Sequence, residues 1–207
     1  MKTRFLHFTY FGFTCALLMC MLAIPINSHA QLTCGSTISS YPYSESFESG
    51  IGAWTQSNAD DFNWTRNSGG TGSSGTGPSS ASDGSYYMYT ESSSPNYPSR
   101  VAIFVSPCFD LTSVSNPSFN FDYSMYGNNM GTLELQASTN GSSWSTIWSL
   151  SGDQGTSWNS GGASLGAYSS TTVQLRFVAT TGNGYRSDFA IDNIDISGTT
   201  PCSGGIT

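Results

Sequence analysis

Phe119-Asn120-Phe121-Asp122-Tyr123-Ser124-Met125 places an apolar side chain at every second position. A period of two puts those four groups on one face of an extended strand and the Asn, Asp and Ser on the other. The alternation recurs at Leu133, Leu135 and Ala137, and again at Val173, Leu175 and Phe177. Each run therefore offers one face to a core and the other to water or a second layer. Further β-type runs occupy 43–48, 61–66, 85–91, 100–106, 144–150 and 187–197, separated by Gly, Ser, Asn and Pro clusters. Beyond Tyr41 no stretch sustains a helical apolar period. About ten strands at this spacing predict an all-β chain folded as a two-sheet sandwich, with jelly-roll connections preferred over a barrel.

The connections carry their own signals. Asn67 to Asp83 is dominated by Ser, Gly and Thr, a composition that predicts a long exposed loop with little to bury. Asn140-Gly141, between two strand-like runs, is the strongest hairpin signal in the chain. The surrounding Ser138–Trp144 segment is similar to the Asp-box turn of sialidases, except that Asn140 and Gly141 are adjacent where that motif separates its Asp and Gly.

The amino end reads as an export signal. Lys2 and Arg4 form a basic start, residues 5–26 are almost uncharged and apolar, and Ser28-His29-Ala30 has the small-x-small form of a cleavage site before Gln31. An uncleaved anchor is the rival, since the apolar stretch approaches the ~20 residues that span a bilayer. Removal of residues 1–30 leaves about 175 residues, enough for one domain with a sizeable core.

Cleavage would also leave a chain without Lys or His, because Lys2, His7 and His29 all precede Gln31. A Ser-His-Asp triad, a Cys-His pair, a His-ligated zinc, a Schiff-base lysine and a Walker-A lysine are then chemically unavailable. All 13 acidic residues lie beyond position 30, against Arg66, Arg100, Arg176 and Arg186, a net charge of −9. That balance disfavours nucleic acid, whose binding rests on neutralising phosphates.

A series of blocks resembles a known family. Phe47-Glu48, Trp54-Thr55-Gln56 and Asp61-Phe62-Asn63-Trp64-Thr65-Arg66 look like the opening of a MAM domain, the extracellular module named for meprin, the A5 antigen and receptor tyrosine phosphatase mu. Thr76-Gly77-Pro78, Gly84-Ser85-Tyr86-Tyr87-Met88-Tyr89, Ser106-Pro107 and Phe121–Gly127 continue it. Met130-Gly131-Thr132-Leu133, Trp148, Gly152–Trp158 and Asp188-Phe189-Ala190-Ile191-Asp192-Asn193-Ile194 complete it in the family's order across residues 41–197. The resemblance implies a jelly-roll sandwich of the concanavalin- or galactose-binding-like kind over residues 31–200. It also implies a secreted or cell-surface role in adhesion, receptor assembly or docking, without catalysis. The partner would be extracellular protein or glycan, with no nucleic acid and no small-molecule cofactor, and the module would be part of a longer multidomain chain. One departure stands out. The family usually has an Asp shortly after the Gly-Pro pair, whereas here Ser79–Ser82 intervene before Asp83.

Three cysteines follow the signal: Cys34, Cys108 and Cys202. Cys34-Gly35-Ser36-Thr37-Ile38-Ser39 and Cys202-Ser203-Gly204-Gly205-Ile206-Thr207 share a Cys-x-x-x-Ile-Ser/Thr spacing, 168 residues apart. Residues 201–207 are thus either a linker or the start of a second, truncated repeat. A repeat would settle the odd count, with Cys34 paired to Cys108 and Cys202 awaiting a partner.

Ala190, Asp192, Ile194 and Ile196 share a face by the two-residue period, which would turn the Asp192 carboxylate inward. A buried carboxylate needs a partner: Ca²⁺, an Arg, or backbone N–H donors. Jelly-roll modules of the carbohydrate-binding kind commonly hold a structural calcium between the first strand's Phe-Glu and the last strand's Asp. By that resemblance Glu48, Asp83 and Asp192 are candidate ligands of a structural calcium; hydrogen bonding of Asp192 alone is the alternative. Asp60 and Asp61 read as a turn cap, and Arg176 as one half of a salt bridge on a half-solvated sheet. The tryptophans and Tyr86, Tyr87 and Tyr89 read as core aromatics or as a sugar-stacking platform. Asn63-Trp64-Thr65 and Asn140-Gly141-Ser142 are glycosylation sequons. The second functional reading is an accessory carbohydrate-binding domain of a larger secreted hydrolase. A glycosidase would need two carboxylates ~5–10 Å apart in a cleft, and no motif singles out such a pair.

Overall fold

A computed structural model describes residues 32–199; the expected signal peptide and Cys202, with the repeat built on it, lie outside them. Twelve strands run in order: β1 (Thr37–Ile38), β2 (Tyr43–Glu45), β3 (Thr55–Gln56), β4 (Thr65–Asn67), β5 (Tyr87–Tyr89), β6 (Val101–Asp110), β7 (Ser115–Met125), β8 (Thr132–Ser138), β9 (Ser145–Ser151), β10 (Asn159–Ser164), β11 (Thr172–Thr180) and β12 (Phe189–Thr199). The first sheet has the order β1-β6-β11-β8-β9, with β3 also on β6. The second has the order β10-β7-β12-β5-β4, with β2 also on β12. The expected all-β two-sheet sandwich is the architecture found.

Alternation builds the core as read. Phe119, Phe121, Tyr123 and Met125 of β7 face Leu133, Leu135 and Ala137 of β8 and Val173, Leu175, Phe177 and Ala179 of β11 in one cluster. The Phe121 ring meets Phe177 edge-on across the two sheets, with centroids 4.8 Å apart. Trp54 stacks on Phe104 at 5.1 Å and on Phe177 at 5.8 Å. Fully burying such side chains is worth about 1.5–3 kcal/mol each.

Three expectations need correction. The run 61–66 forms a strand only at β4, because Asp60 and Asp61 bond elsewhere: their carboxylates accept the N–H groups of Ile103 (2.6 Å) and Val101 (2.8 Å) at the start of β6. They extend a sheet edge rather than cap a turn. Strand β10 carries no apolar alternation, yet pairs with β7 from Asn159↔Tyr123 to Ser164↔Ser118. Its glycines allow that approach, since a Cβ on Gly161 would stand 2.7 Å from the Phe121 ring. Finally, the 67–83 segment is not simply exposed: Thr76, Gly77 and Pro78 are buried, and Gly77 N–H donates to the Tyr126 carbonyl at 3.1 Å.

The disulfide Cys34–Cys108 is formed, its Cα atoms 5.7 Å apart. It sits beside the parallel pairing of Thr37 with Cys108, where β1 joins β6. At the same pole of the sandwich β12 ends with Thr199 opposite Ser115. The loops at 92–100, 127–131 and 181–187 gather at the other pole.

Candidate functional site

Strand β12 does not keep the phase expected of it. Its register against β7 shifts between Asp192 and Asp195, and Asn193 has φ 48°. That β-bulge inserts one residue, so Phe189 and Ile191 face the core before it and Ile194 and Ile196 after it. Asp192 therefore shares its face with Asp188 and Ala190, not with Ile194 and Ile196, and lies on the outside of the second sheet. All three are nevertheless inaccessible to solvent, because the segment from Thr71 to Ser92 covers them.

Carboxylates fasten that cover. Asp192 Oδ2 accepts the N–H groups of Ser82 (2.9 Å) and Asp83 (3.0 Å), and Oδ1 accepts Asn193 N–H at 2.8 Å. Glu48 Oε1 accepts Ser85 N–H at 2.8 Å and Tyr86 N–H at 2.7 Å. Between the two clamps Gly84 takes φ 60°, and a Cβ there would stand 2.6 Å from Glu48 Oε1. Asp122, opposite Asp192 on β7, accepts the hydroxyls of Ser82 (2.7 Å) and Ser160 (2.9 Å). Arg66 closes the same corner, donating to the carbonyls of Phe47 and Glu48 and lying 3.4 Å over the Tyr86 ring.

Glu48 and Asp192 grip one loop through its backbone N–H groups. Asp83 takes part through its N–H and not through its carboxylate. Among the described residues no three acidic, Cys or His side chains group to hold a metal. N–H hydrogens point at both Asp192 oxygens and at Glu48 Oε1, so a calcium shared by these oxygens would have to compete with those donors.

Burial and bonding oppose one another in these acids. Desolvation pushes Asp192 up to about 6 against its backbone N–H donors. Desolvation likewise pushes Asp188 up to about 6, although Ser92 N–H donates to its Oδ1 at 2.9 Å. Among the described residues its Oδ2 is buried without a hydrogen-bond partner. The exposed Glu48 moves the other way, held below the usual carboxylate range by Ser85 and Tyr86. Four residues apart on one strand is ~13 Å, so Asp188 and Asp192 do not match the spacing of glycosidase carboxylates.

The aromatics divide. Trp54, Trp64 and Tyr87 are buried core, and Trp148 packs on Phe121 at 5.1 Å. Trp158 meets Tyr87 and donates Nε1–H to the Ser80 carbonyl at 2.8 Å, pinning the cover again. No platform of tryptophans faces outward. Tyr185, which no pattern in the sequence marks, is the exposed large hydrophobic among the described residues.

The outer face of the first sheet is built differently. Thr146, Gln136, Arg176, Val105 and Thr55 form one cross-strand row over β9, β8, β11, β6 and β3. The Arg176 guanidinium lies 4.2 Å over the half-buried Trp144 ring, and its Nε–H donates to Gln136 Oε1 at 2.8 Å. Gln136 in turn donates to Glu134 at 3.1 Å, and Thr146 donates to the other Glu134 oxygen at 3.1 Å. The salt bridge expected of Arg176 is absent; among the described residues the ion pair is Arg100 with Asp61, at 3.1 Å and exposed. Beside the row opens a cavity of about 300 Å³ lined by Ser36, Gly52, Trp54, Thr55, Ser106 and Gln174, among others.

The two-sheet sandwich thus seals its acids on one outer face and leaves the other face open beside the cavity. The chain matches the MAM domain (meprin/A5/mu) over residues 46–203 and belongs to that family. It is 35% identical over 169 residues to the mouse MAM domain-containing glycosylphosphatidylinositol anchor protein 2, covering 73% of this chain. The human protein of that name is 33% identical over 192 residues, 84% of this chain. The chain spans 18% and 19% of those relatives' lengths. Among solved structures, the K1 cleaved adhesin domain of Lys-gingipain from Porphyromonas gingivalis shares the fold at TM-score 0.55 and 17% identity, over 77% of this chain and 99% of that one. The C-terminal family 22 carbohydrate-binding module from Clostridium thermocellum does so at TM-score 0.50 and 16% identity, over 75% and 92%.

Proposed function

We propose that this MAM domain is a non-catalytic binding and adhesion module, secreted or displayed at a cell surface within a longer multidomain chain. Its ligand is extracellular protein or glycan. Family membership over residues 46–203 carries the proposal. Relatives named as glycosylphosphatidylinositol anchor proteins, of which the chain spans about a fifth, support the surface location and the multidomain setting. The confinement of His and Lys to the first thirty residues, and the sealing of Asp188 and Asp192 under the 71–92 segment, support a role without turnover. The second reading, an accessory carbohydrate-binding domain of a secreted hydrolase, draws on the outer face of the first sheet. Amide and hydroxyl side chains there flank a cavity that Trp54 and Pro107 also line.

The test pairs binding with product analysis. Purified secreted chain, passed over immobilised extracellular-matrix proteins and polysaccharides, should bind at least one class saturably and leave it chemically unchanged. Release of peptide or sugar that stops when one or two carboxylates are replaced would overturn the proposal.

A further inference from the structure

Arg176 is a guanidinium held in place with part of its donor set unused. Its plane is fixed by Trp144, and its Nε–H by Gln136, itself oriented by Glu134. Among the described residues nothing accepts from its two terminal nitrogens. Arg66 differs, because carbonyls of Phe47 and Glu48 take its donors. Arg100 differs too, because Asp61 takes its charge. Arg176 is half-buried, and desolvation lowers its pKa, partly offset by Glu134. A partly desolvated cation costs free energy until an anion meets it, and the geometric match to a guanidinium edge is a carboxylate taking two parallel hydrogen bonds.

The surroundings select what carries that carboxylate. Gln174 lies on the same face of β11 as Arg176 and lines the cavity of about 300 Å³. Thr55, also on its wall, is two strands from Arg176 in the same row, ~10 Å at 4.8 Å per strand. Ser36, Thr55 and Gln174 line this space beside Ala53, Trp54 and Pro107, while the Ser106 hydroxyl is already engaged, donating to the Pro107 carbonyl and accepting Leu175 N–H. A protein partner would ask for exposed aromatic or aliphatic anchors, and this face exposes no large apolar side chain. The excess of acidic residues also disfavours a densely charged polyanion.

We infer that the outer face of the first sheet binds a glycan bearing an isolated acidic sugar, with Arg176 receiving the carboxylate and the Gln174–Thr55 cavity receiving a neighbouring neutral unit. This rests on the assignment as an extracellular binding module and names its ligand class and its face. The probes are sialyllactose against lactose, and glucuronoxylan against the same polymer with its carboxyls reduced to alcohols. Calorimetric titration of the purified chain should show binding to at least one acidic member and at least tenfold weaker binding to its neutral counterpart. Arg176→Gln should weaken the acidic member by at least tenfold with an unchanged unfolding midpoint, whereas Arg100→Gln should not. The comparison of acidic with neutral ligand needs no variant, so it stands even if Arg176→Gln fails to fold. Equal affinity for acidic and neutral sugars, equal binding of poly-glutamate, or binding indifferent to Arg176→Gln overturns the inference. Failure of both probe pairs overturns it as well. A matrix protein captured away from this face would leave the binding-module assignment standing while this inference falls.

Discussion

Asp192 holds Asp83 by its backbone N–H, at 3.0 Å, although both side chains are acidic. Among the described residues the Asp83 carboxylate accepts no hydrogen bond, and Asp83 stands exposed. The buried acid is satisfied by amide hydrogens, so no cation is needed to hold it. Chelator should therefore leave the unfolding midpoint of the wild-type chain unchanged, and added calcium should not raise it. Asp192→Ala should lower stability by about 1–3 kcal/mol, since it removes the acceptor of three part-buried N–H groups, while Asp83→Asn should be nearly silent. A midpoint that falls on chelation would restore calcium to the site.

Gly84 is required twice over, by its φ of 60° and by the Glu48 carboxylate 2.6 Å from where a Cβ would stand. Gly84→Ala should destabilise by about 1–3 kcal/mol and raise amide exchange at Ser85 and Tyr86. Hydrogen exchange that stays unchanged at those two positions would contradict the clamp.

Acidity should act in two directions. Asp188 and Asp192, raised from 3.8 to about 6 by burial, bind protons more readily folded than unfolded. Their contribution is fully present below the unfolded pKa and is lost as pH rises through about 6, so stability should increase from pH 7 to pH 5, by about 1 kcal/mol per group. Glu48, Asp61 and Asp110 are lowered, chiefly by hydrogen bonds from Ser85, Val101 and Thr112. Their contribution is lost as pH falls through their folded pKa values, which lie below those of ordinary carboxylates. Urea unfolding against pH should thus give a maximum between about 4 and 6. In the Asp188→Asn, Asp192→Asn double variant the rise below pH 7 should disappear, and a rise that persists would assign it elsewhere.

The Cys34–Cys108 bond spans 74 residues of sequence. Reduction should cost about 2–4 kcal/mol, chiefly by freeing the unfolded chain. It should also raise amide exchange at Ile38 and Cys108, where β1 lies on β6. Non-reducing peptide mapping should recover the Cys34–Cys108 pair, and a Cys34–Cys202 pair would refute it.

What the sequence made legible follows the range of the forces involved. Alternation in β7, β8 and β11 is local and dictated the two-sheet core. Strand β10 escaped because Gly161 and Gly162 have no side chains to alternate, and their role shows only against Phe121. The inward turn assigned to Asp192 failed at one residue. Asn tolerates positive φ, so Asn193 was the available hint of a bulge. Ser82 and Asp83 read as loop, and Ser85 and Tyr86 as the start of a strand, because their backbone partners, Asp192 and Glu48, lie 109 residues ahead of Asp83 and 37 behind Ser85. Arg176 read as a salt bridge because its charge was visible and its stacking on Trp144 was not.

The polar arrangement of the two ends has a mechanical consequence. Cys34 is bolted to β6, and β12 leaves beside it with Thr199 against Ser115. A pull applied across these ends meets a covalent bond on one side and, on the other, the last rung of a hydrogen-bonded ladder. Rupture should start at Thr199 and run up β12 rung by rung towards Asn193, while the loops at the far pole, Tyr185 among them, stay outside the line of force.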